Sequence, residues 1–469
     1  MLRKFALVLF LLYGTLNIFG SVCVNGVYYE LTDSTKTAVV VSPLHGARYS
    51  GDTIIVPSII TYKDQVYSVT SISSGSFYAS TIKHVIIEEG IRSIGGTAFM
   101  SCSQLSDIVL PNSLVSIGSQ AFQWCVKLKS IIIPPKVKEL SLLLFASCDS
   151  LSSIILPDSL LKIRAGALSG CQALKSITLP NLVTILEERA FMACTALTSF
   201  VASDSLKTID GLTFSGCTAL KNVILNESLT IIKGESAFGC CTSLDSIYIP
   251  NGVTSIGTLT FSGCSALRAV SIGTGLSSIG KQAFYECHAL EHFDIDEGNP
   301  YLCSIDGVIY NRDTTNLVLY PIGRKITEYS ILNGVANLLD MSFQLCATIQ
   351  TLFIPNSVSK IGMGTFTGCS SLSTIVCEAT IPPQLGSYTF FYSFLGGVHP
   401  IDLYVPDASV SLYENANQWK DLTIHPLSEY YSSLKDITDK IDNLHGNKII
   451  YLGHLYIVHD NKYYDVLGR

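Results

Sequence analysis

The chain has 469 residues, of which 48% are hydrophobic and only 14% are charged, and its formal net charge is −7. This acidic balance argues against a nucleic acid partner, because phosphates are neutralised by clustered lysines and arginines. After the N-terminal segment, no apolar run reaches the roughly 18 residues that a helix needs to span a bilayer.

The N-terminal segment has the pattern of a secretory signal peptide. Arg3 and Lys4 precede an apolar run that begins at Phe5, and small residues follow at Gly20 and Ser21. We therefore predict a signal peptide over residues 1–21, which places the mature protein outside the cell or at the cell surface, with outer-membrane association as one form of this. Cys23 follows the predicted cleavage region. A lipoprotein signal requires a small residue where Val22 stands, so plain cleavage is favoured over a lipid anchor.

Short strands are predicted next, before any regular repeat begins. Val27–Tyr29 and Thr53–Pro57 have strand-like composition within residues 22–70. An exposed solenoid end needs a cover that blocks edge pairing, so we expect this region to be an N-terminal β cap.

The most regular feature is a row of eleven cysteines, each of which follows a phenylalanine or leucine by three residues. Nine of the ten intervals between them are 23 or 24 residues long, and the remaining interval is 59. A fixed period of this length is typical of a solenoid, in which each repeat is one coil stacked on the previous coil. The row consists of Cys102, Cys125, Cys148, Cys171, Cys194, Cys217, Cys241, Cys264, Cys287, Cys346 and Cys369.

Each repeat follows the pattern C-x2-L-x2-I-x-L-P-x2-L-x2-I-G-x2-A-F. In the repeat from Cys125, Ile131 and Ile133 lie on one face of a strand, and Pro134 ends it because proline lacks an amide hydrogen. The Ala-Phe segment suits a short helical turn. We therefore expect an α/β-type repeat solenoid over residues 71–378. Its coils of about 23 residues form a parallel β-sheet on the inner face, with short helical turns or loops outside.

The long interval between Cys287 and Cys346 contains an insert. Two apolar segments, Gly307–Tyr310 and Leu317–Tyr320, flank a polar stretch. This arrangement predicts a hairpin at about residues 297–322 that protrudes from the stack.

The regular pattern stops after Cys377. A strand-like segment at Asp402–Pro406 and the later Trp419 indicate a C-terminal cap over residues 379–427. The tail, residues 428–469, is predicted as an amphipathic helix followed by a β-hairpin over Ile449–Val466. The apolar positions with helical spacing are Leu434, Ile437, Ile441 and Leu444.

These repeats resemble the BspA-like leucine-rich repeat family of bacterial surface proteins. The resemblance covers about residues 24–425 and rests on the recurring L-x2-I-x-L-P and I-G-x2-A-F-x2-C segments. It is supported by the insert around Ile305–Tyr310 and by the ending Leu403–Pro406 with Trp419. The resemblance implies a secreted or cell-surface protein of a host-associated bacterium, some of whose relatives are linked to adhesion. The last residues also look like C-terminal segments of exported Bacteroidetes proteins, although the chain stops at Arg469 without a basic, apolar finish.

The outward face of the strands is the candidate ligand-binding surface. If Ile131 and Ile133 point into the core, Ser130 and Ile132 point outward, and the same alternation holds in every coil. The result is a β-branched row beside a hydroxyl row, with Lys129 and its equivalents Lys175, Lys221 and Arg268 at one edge. A long exposed apolar row is unusual on a soluble monomer and favours a partner-binding face. The candidate residues are Val109, Ile132, Ile155, Thr178, Val201, Ile224, Tyr248 and Phe353.

Other groups with chemical potential have simpler interpretations. The cysteines form no C-x2-C pair, so buried core thiols are favoured over a disulfide framework or a metal ladder. His288 and His292 are too few for a metal site. Asp294 and Asp296 share one strand face but adjoin a Gly-Asn-Pro turn, which favours turn polarity over acid–base catalysis. With no nucleophile or phosphate-loop motif, we expect no enzymatic activity, cofactor or metal.

Several functions remain open at this point. The leading hypothesis is an exported, adhesin-like module that binds a host extracellular or neighbouring-cell protein through the strand face. A glycan-binding surface protein is the first alternative, with Tyr248, Phe353, Tyr310 and Tyr320 stacking on sugar rings. A hydrolase that uses Asp294 and Asp296 is a second, and an envelope component without a specific ligand is a third.

Overall fold

The structure, a computed structural model, describes residues 20–43, 47–391 and 400–432, and the backbone of residues 447–451, 454–459 and 462–465. Residues 1–19 of the predicted signal peptide and the predicted helix from Leu434 to Leu444 lie outside the described residues. The chain divides into unit 1, Met1–Asp313 with Tyr320–Arg324, and unit 2, Thr314–Leu319 with Lys325–Arg469.

Unit 1 is a β-solenoid with coils of about 23 residues, which confirms the predicted fold class. Its first side, the strand face, consists of one short strand from each coil, and these strands pair parallel in register within four groups that end at Val109, Ile155, Ile224 and Ile295. In most strands the outward residues are exposed and the inward ones buried, because successive side chains alternate. The strands are Thr53–Val56, His84–Ile87, Asp107–Val109, Ser130–Ile132, Ser153–Ile155, Ser176–Thr178, Ser199–Val201, Asn222–Ile224, Ser246–Ile249, Ala269–Ile272 and His292–Ile295.

The second sheet of unit 1 comprises two-residue strands that also pair parallel from coil to coil. Most of them bury an isoleucine or leucine at the second position. Gly118 follows one of these strands, and a Cβ there would lie 2.4 Å from the amide nitrogen of Gly96, so the coils approach too closely for a side chain. The strands are Ser93–Ile94, Ser116–Ile117, Glu139–Leu140, Lys162–Ile163, Ile185–Leu186, Thr208–Ile209, Ile231–Ile232, Ser255–Ile256 and Ser278–Ile279.

The third side of each coil consists of turns, where the sequence favoured short helices. In one representative coil, Gln120 and Trp124 both adopt positive φ, at 60° and 62°. A left-handed residue interrupts an α-helix, so each segment forms consecutive turns. Its amides bond to the next coil, as from Phe122 to the carbonyl of Leu144 at 3.0 Å. Helix is therefore minor in the described part of the chain.

The core of unit 1 is filled by columns of identical side chains. Phe77, Phe99, Phe122 and Phe145 stack face to face with ring centroids 4.7–5.5 Å apart. Leu168 interrupts this column, which resumes from Phe191 to Phe284. Every one of these side chains is buried, so each coil supplies the apolar cover that its neighbour needs.

The N-terminal strands cover the first coil of unit 1. Tyr49 packs on Phe77 with a centroid distance of 4.5 Å and donates its hydroxyl hydrogen to the carbonyl of Val41 at 2.8 Å. One strand of this region, Gln65–Ile72, pairs parallel with Ser93–Ile94, which joins the cover to the second sheet. The other strands are Val22–Val24, Val27–Thr32, Thr37–Val41 and Ile59–Tyr62.

The insert is a hairpin, but it packs into the stack and does not protrude as the sequence predicts. The strand Val308–Asn311 pairs antiparallel with Leu302–Ile305. Val308, Ile309 and Tyr310 are fully buried. The apolar residues of this hairpin are therefore core residues.

Unit 2 continues the same coil design with parallel strands on two sides. Its last coil is covered by Trp419, which packs on Phe390 at 5.3 Å and donates its indole hydrogen to the carbonyl of Pro383 at 2.9 Å. Among the residues of unit 2 that the structure describes, helix is limited to Asp407–Ser409, Val410–Glu414, Trp419–Asp421 and residues 427–432. The strands are Asn316–Leu319, Glu328–Ser330, Asn337–Leu338, Thr351–Ile354, Lys360–Ile361, Thr374–Cys377, Gln384–Leu385, Asp402–Val405 and Thr423–Pro426.

Three antiparallel strands occupy the region where the tail hairpin is predicted. They are Asn447–Tyr451, His454–His459 and Lys462–Asp465. The second and third of them pair from His459 with Lys462 to Tyr456 with Asp465. The sequence predicts one strand where the structure has the first two, and these two strands pair with each other.

Candidate interaction surface

The strand face of unit 1 places the candidate apolar residues in one row. Ile132 pairs with Ile155, Thr178 pairs with Val201, and Val201 pairs with Ile224. These pairings put equivalent side chains of neighbouring coils side by side at about 4.8 Å. Ile132 is 64% exposed, whereas its neighbour Ile131 is 3% exposed, so the alternation separates the row from the core.

Most predicted members of the row are open to solvent. Val109, Ile132, Ile155, Thr178, Ile224 and Tyr248 are exposed, and Val201 is half-buried. Large apolar side chains in water are unfavourable unless another surface covers them. A contiguous row of them is therefore the feature of unit 1 that most needs a partner.

The structure extends the row by two residues that sequence reasoning missed. Ile55 and Ile86 are both exposed; Ile55 pairs in register with Ile86, and Ile86 pairs with Val109. The first lies on a strand that the sequence assigned to the cap. The alternation over Val85, Ile86 and Ile87 was the signal for the second, since it matches the pattern of later coils.

A hydroxyl row and a basic edge lie beside the apolar row. Ser130 pairs with Ser153, and Ser176 with Ser199. Just before the strands, Lys129 and its equivalents are exposed, and the structure adds Lys83 to their number. At one end, a shallow depression is lined by side chains that include Lys221, Asp245 and Arg268.

Phe353 lies in unit 2, where the strand face is partly covered. Its ring lies 6.1 Å from that of Tyr430, which also contacts Tyr404 at 5.1 Å. Tyr430 belongs to the helical residues 427–432, and burial, ahead of the nearby Glu328 carboxylate, raises its pKa to about 12. Phe353 is therefore half-buried against the same chain, unlike most of the candidates in unit 1.

The carboxylate pair has a turn role. Asp294 is exposed on the strand His292–Ile295, and Asp296 accepts a hydrogen bond from the amide of Gly298 at 2.8 Å. His288 and His292 are exposed as well. Among the described residues, no group of three or more acidic, histidine or cysteine side chains is placed to hold a metal ion.

The eleven repeat cysteines are buried and unpaired. Each thiol except that of Cys346 donates a hydrogen bond to a carbonyl one coil back, as from Cys125 to Phe99 at 3.2 Å and from Cys148 to Phe122 at 3.1 Å. Burial raises the pKa of the Cys102 thiol to about 12. Such thiols remain protonated and act as core side chains with a donor, not as nucleophiles or ligands.

Comparisons with known proteins agree with this architecture. A leucine-rich repeat protein from Bacteroides ovatus is similar to the chain with 23% identity and a TM-score of 0.59, over 86% of this chain and 99% of that one. A leucine rich cell surface protein from Faecalibacterium prausnitzii has 22% identity and a TM-score of 0.36, over 84% and 90%. No curated protein matches. In the described residues, no helix combines the length and apolar character needed to cross a membrane.

The family comparison is more specific than the structural ones. The model of the BspA type leucine rich repeat region matches residues 70–198, 184–304 and 323–401, in six copies. These ranges span more than half of the chain and coincide with the stacked coils. The chain therefore belongs to the family of BspA type leucine rich repeat proteins.

Proposed function

We propose that this chain is an exported, non-enzymatic module that binds another protein through the strand face of unit 1. The observation that carries the proposal is the row of outward-facing strand residues from Ile55 to Tyr248, all of which except Thr178 are apolar and all of which except Val201 are exposed. The nine coils of this row extend over about 38 Å at the usual strand spacing. A specific interface typically buries about 800 Å² on each partner, which a row of this length with its flanking rows can supply.

The family supports an extracellular setting. Leucine-rich repeat solenoids present long surfaces to protein partners, and BspA type members are bacterial cell-surface proteins. An adhesin-like role fits a long row of mostly apolar side chains better than catalysis does, since catalysis requires convergent polar groups in a cleft. The partner class that we propose is a host extracellular protein or a protein of a neighbouring cell.

The test is a pull-down with the immobilised 469-residue chain and a panel of host extracellular-matrix proteins. We expect the wild type to retain at least one of them. The triple variant Ile132→Lys, Ile155→Lys and Tyr248→Lys should retain none, because each lysine places a solvated charge in the apolar interface.

The matched control carries three lysines at equally exposed apolar positions that lie outside the row. Val115, Leu142 and Leu182 are about half exposed, so the triple variant Val115→Lys, Leu142→Lys and Leu182→Lys has the same charge change. We expect this control to bind like the wild type. Equal retention by the strand-face variant and the wild type would overturn the proposal.

Most of the aromatic residues on which the glycan alternative depends are buried or covered. Tyr310 and Tyr320 are 0% and 1% exposed, and Phe353 contacts Tyr430. Sugar-ring stacking requires accessible aromatic faces. Only Tyr248 of the four is exposed, and one aromatic ring does not make a glycan site.

A further inference from the structure

The basic edge of the strand face repeats on every second coil, whereas the apolar row repeats on every coil. Basic residues occur on every second coil, at Lys83, Lys129, Lys175, Lys221 and Arg268, and all are exposed. In the first three intervening coils the equivalent residue is Ser106, Ser152 or Thr198, whose hydroxyl donates to the carbonyl of the preceding lysine at 3.0–3.2 Å. The repeat of positive charge is therefore two coils, not one.

Several of these charges are unused within the described part of the chain. Lys83 pairs with Asp52 at 2.7 Å and Lys221 pairs with Asp245 at 3.6 Å, but Lys129 and Lys175 form no ion pair there. The outward positions of the strands from Ser130 to Tyr248 carry no charged residue. At Lys129 and Lys175 a ligand carboxylate therefore meets an uncharged strand face, whereas the coil after Lys221 carries Asp245 at the basic edge.

The two-coil repeat sets a distance that discriminates between ligand conformations. Coils about 4.8 Å apart place the basic residues about 9.6 Å apart. A polyproline II helix has three residues per turn and about 3.1 Å of rise, so every third residue returns to the same side after about 9.3 Å. Over four intervals the mismatch accumulates to only about 1.2 Å. In an α-helix a residue returns to the same side after about 10.5 Å, so the mismatch with the basic residues accumulates three times as fast. In a β-strand a residue returns to the same side after about 6.6 Å, which does not match their spacing.

The neighbouring rows suit the same ligand. A polyproline II backbone makes no internal hydrogen bonds, so its carbonyl groups are free to accept. Ser130, Ser153 and Ser176 are exposed in the hydroxyl row and offer donors about every 4.8 Å. The apolar row beside them supplies a surface for proline rings, which are preformed and lose little entropy on binding.

From this geometry we propose that the strand face of unit 1 binds a polyproline II segment that carries a carboxylate at every third residue and lies along the stack of coils. The carboxylates face the basic edge, and the remaining residues pack on the apolar row. The proposal rests on the proposed function, because both use the same face, and it names the chemistry of the partner.

The probe is a fluorescent peptide of five Pro-Pro-Glu triplets, measured by anisotropy with the 469-residue chain. We expect binding that weakens as sodium chloride is added, because the lysines are exposed and screened by salt. The double variant Lys129→Glu with Lys175→Glu should bind about tenfold more weakly, since each exposed pair contributes up to about 1 kcal/mol. A peptide of the same composition with its glutamates in one block should bind more weakly than the regular peptide.

The control variant has the same charge change on another side of the same unit. Lys138 and Lys207 are exposed just before second-sheet strands, and their carbonyls accept hydrogen bonds from the next coil, as those of Lys129 and Lys175 do. Lys138→Glu with Lys207→Glu should bind the peptide like the wild type. Circular dichroism melting of all variants checks that the fold is intact.

The possible results separate this proposal from the proposed function. Absence of peptide binding to the wild type, equal binding of the block peptide, or equal weakening in both double variants would overturn the polyproline II proposal. A protein that the wild type captures and the strand-face variant does not would still support the binding module in each of these cases. Capture that survives the strand-face variant overturns the module itself.

Discussion

At the scale of single residues, the repeat cysteine combines two roles. It fills a small buried space, and its thiol donates to a carbonyl of the preceding coil, as from Cys148 to Phe122. The carbonyl of Phe122 also accepts a hydrogen bond from the amide of Cys125 at 3.1 Å, so the thiol packs in the core and supplies a second donor to an oxygen with two lone pairs. Serine would supply the same donor, but it lacks the apolar bulk of sulfur.

Burial predicts which thiols react. Cys23 and Cys240 are exposed, whereas the eleven repeat cysteines are buried. We expect native protein at pH 8 to react rapidly with an aromatic disulfide reagent at the exposed thiols, and to release the buried ones only in denaturant. The double variant Cys23→Ser with Cys240→Ser should lose the rapid phase. Rapid reaction of the repeat cysteines in native protein would contradict the buried ladder.

The positions of these cysteines were readable from the sequence, but their hydrogen-bond partners were not. Spacing alone shows that Cys125 and Cys148 occupy equivalent sites. The acceptor of the Cys148 thiol belongs to Phe122, 26 positions earlier, in a turn whose residues Gln120 and Trp124 adopt left-handed conformations. Non-glycine residues rarely adopt that conformation, so nothing in the composition announced it.

At the scale of structural elements, the phenylalanine column is one of the sets of contacts that join neighbouring coils. Phe122 lies between Phe99 and Phe145 at 5.4 and 5.5 Å, and all three rings are fully buried. Truncation of one ring removes contacts with two coils at once. The column nevertheless tolerates Leu168, which is also fully buried.

This tolerance gives a graded prediction for one position. Phe122→Ala should lower the free energy of unfolding by about 3–5 kcal/mol, because it leaves a cavity that rigid neighbouring coils cannot close. Phe122→Leu should cost much less, since leucine fills the equivalent site at Leu168. Urea unfolding followed by circular dichroism measures both variants. Equal midpoints for the two would show that the column does not stabilise the stack in this way.

The sequence predicted the elements of the strand face better than those elsewhere. Alternation around Ile131 and Ile154 identifies the strands, because one side of a sheet is buried and the other is not. Burial of both faces removed that signal at Val308, Ile309 and Tyr310, so the sequence predicts a protruding hairpin where the structure has a hairpin packed into the core. Ile55 was missed because its strand precedes the first regular repeat.

At the scale of the whole molecule, the buried thiols make stability depend on pH. Burial raises the pKa of Cys102 to about 12 and that of Cys377 to about 11, whereas an unfolded thiol titrates near 9. The folded chain therefore holds protons that the unfolded chain releases. The stabilisation is complete below about pH 9 and is lost as pH rises through the folded pKa values.

We expect the urea midpoint to be constant from pH 6 to 8 and to fall between pH 9 and 10. Buried tyrosines such as Tyr430 add to this fall only above about pH 10, where unfolded tyrosine begins to ionise. Replacing Cys102 with alanine should make the fall of the urea midpoint shallower, because it removes one thiol whose pKa is raised in the folded chain. A midpoint that stays flat to pH 10 would contradict the linkage.

Register between neighbouring coils also governs how the length of this protein can change. Ser130, Ile131 and Ile132 pair residue for residue with Ser153, Ile154 and Ile155. Excision of the 23 residues between one cysteine and the next would therefore join two surfaces that already match, and both terminal covers would keep their contacts. In-frame recombination in the gene can therefore shorten or lengthen the apolar row by one coil at a time, without designing a new junction.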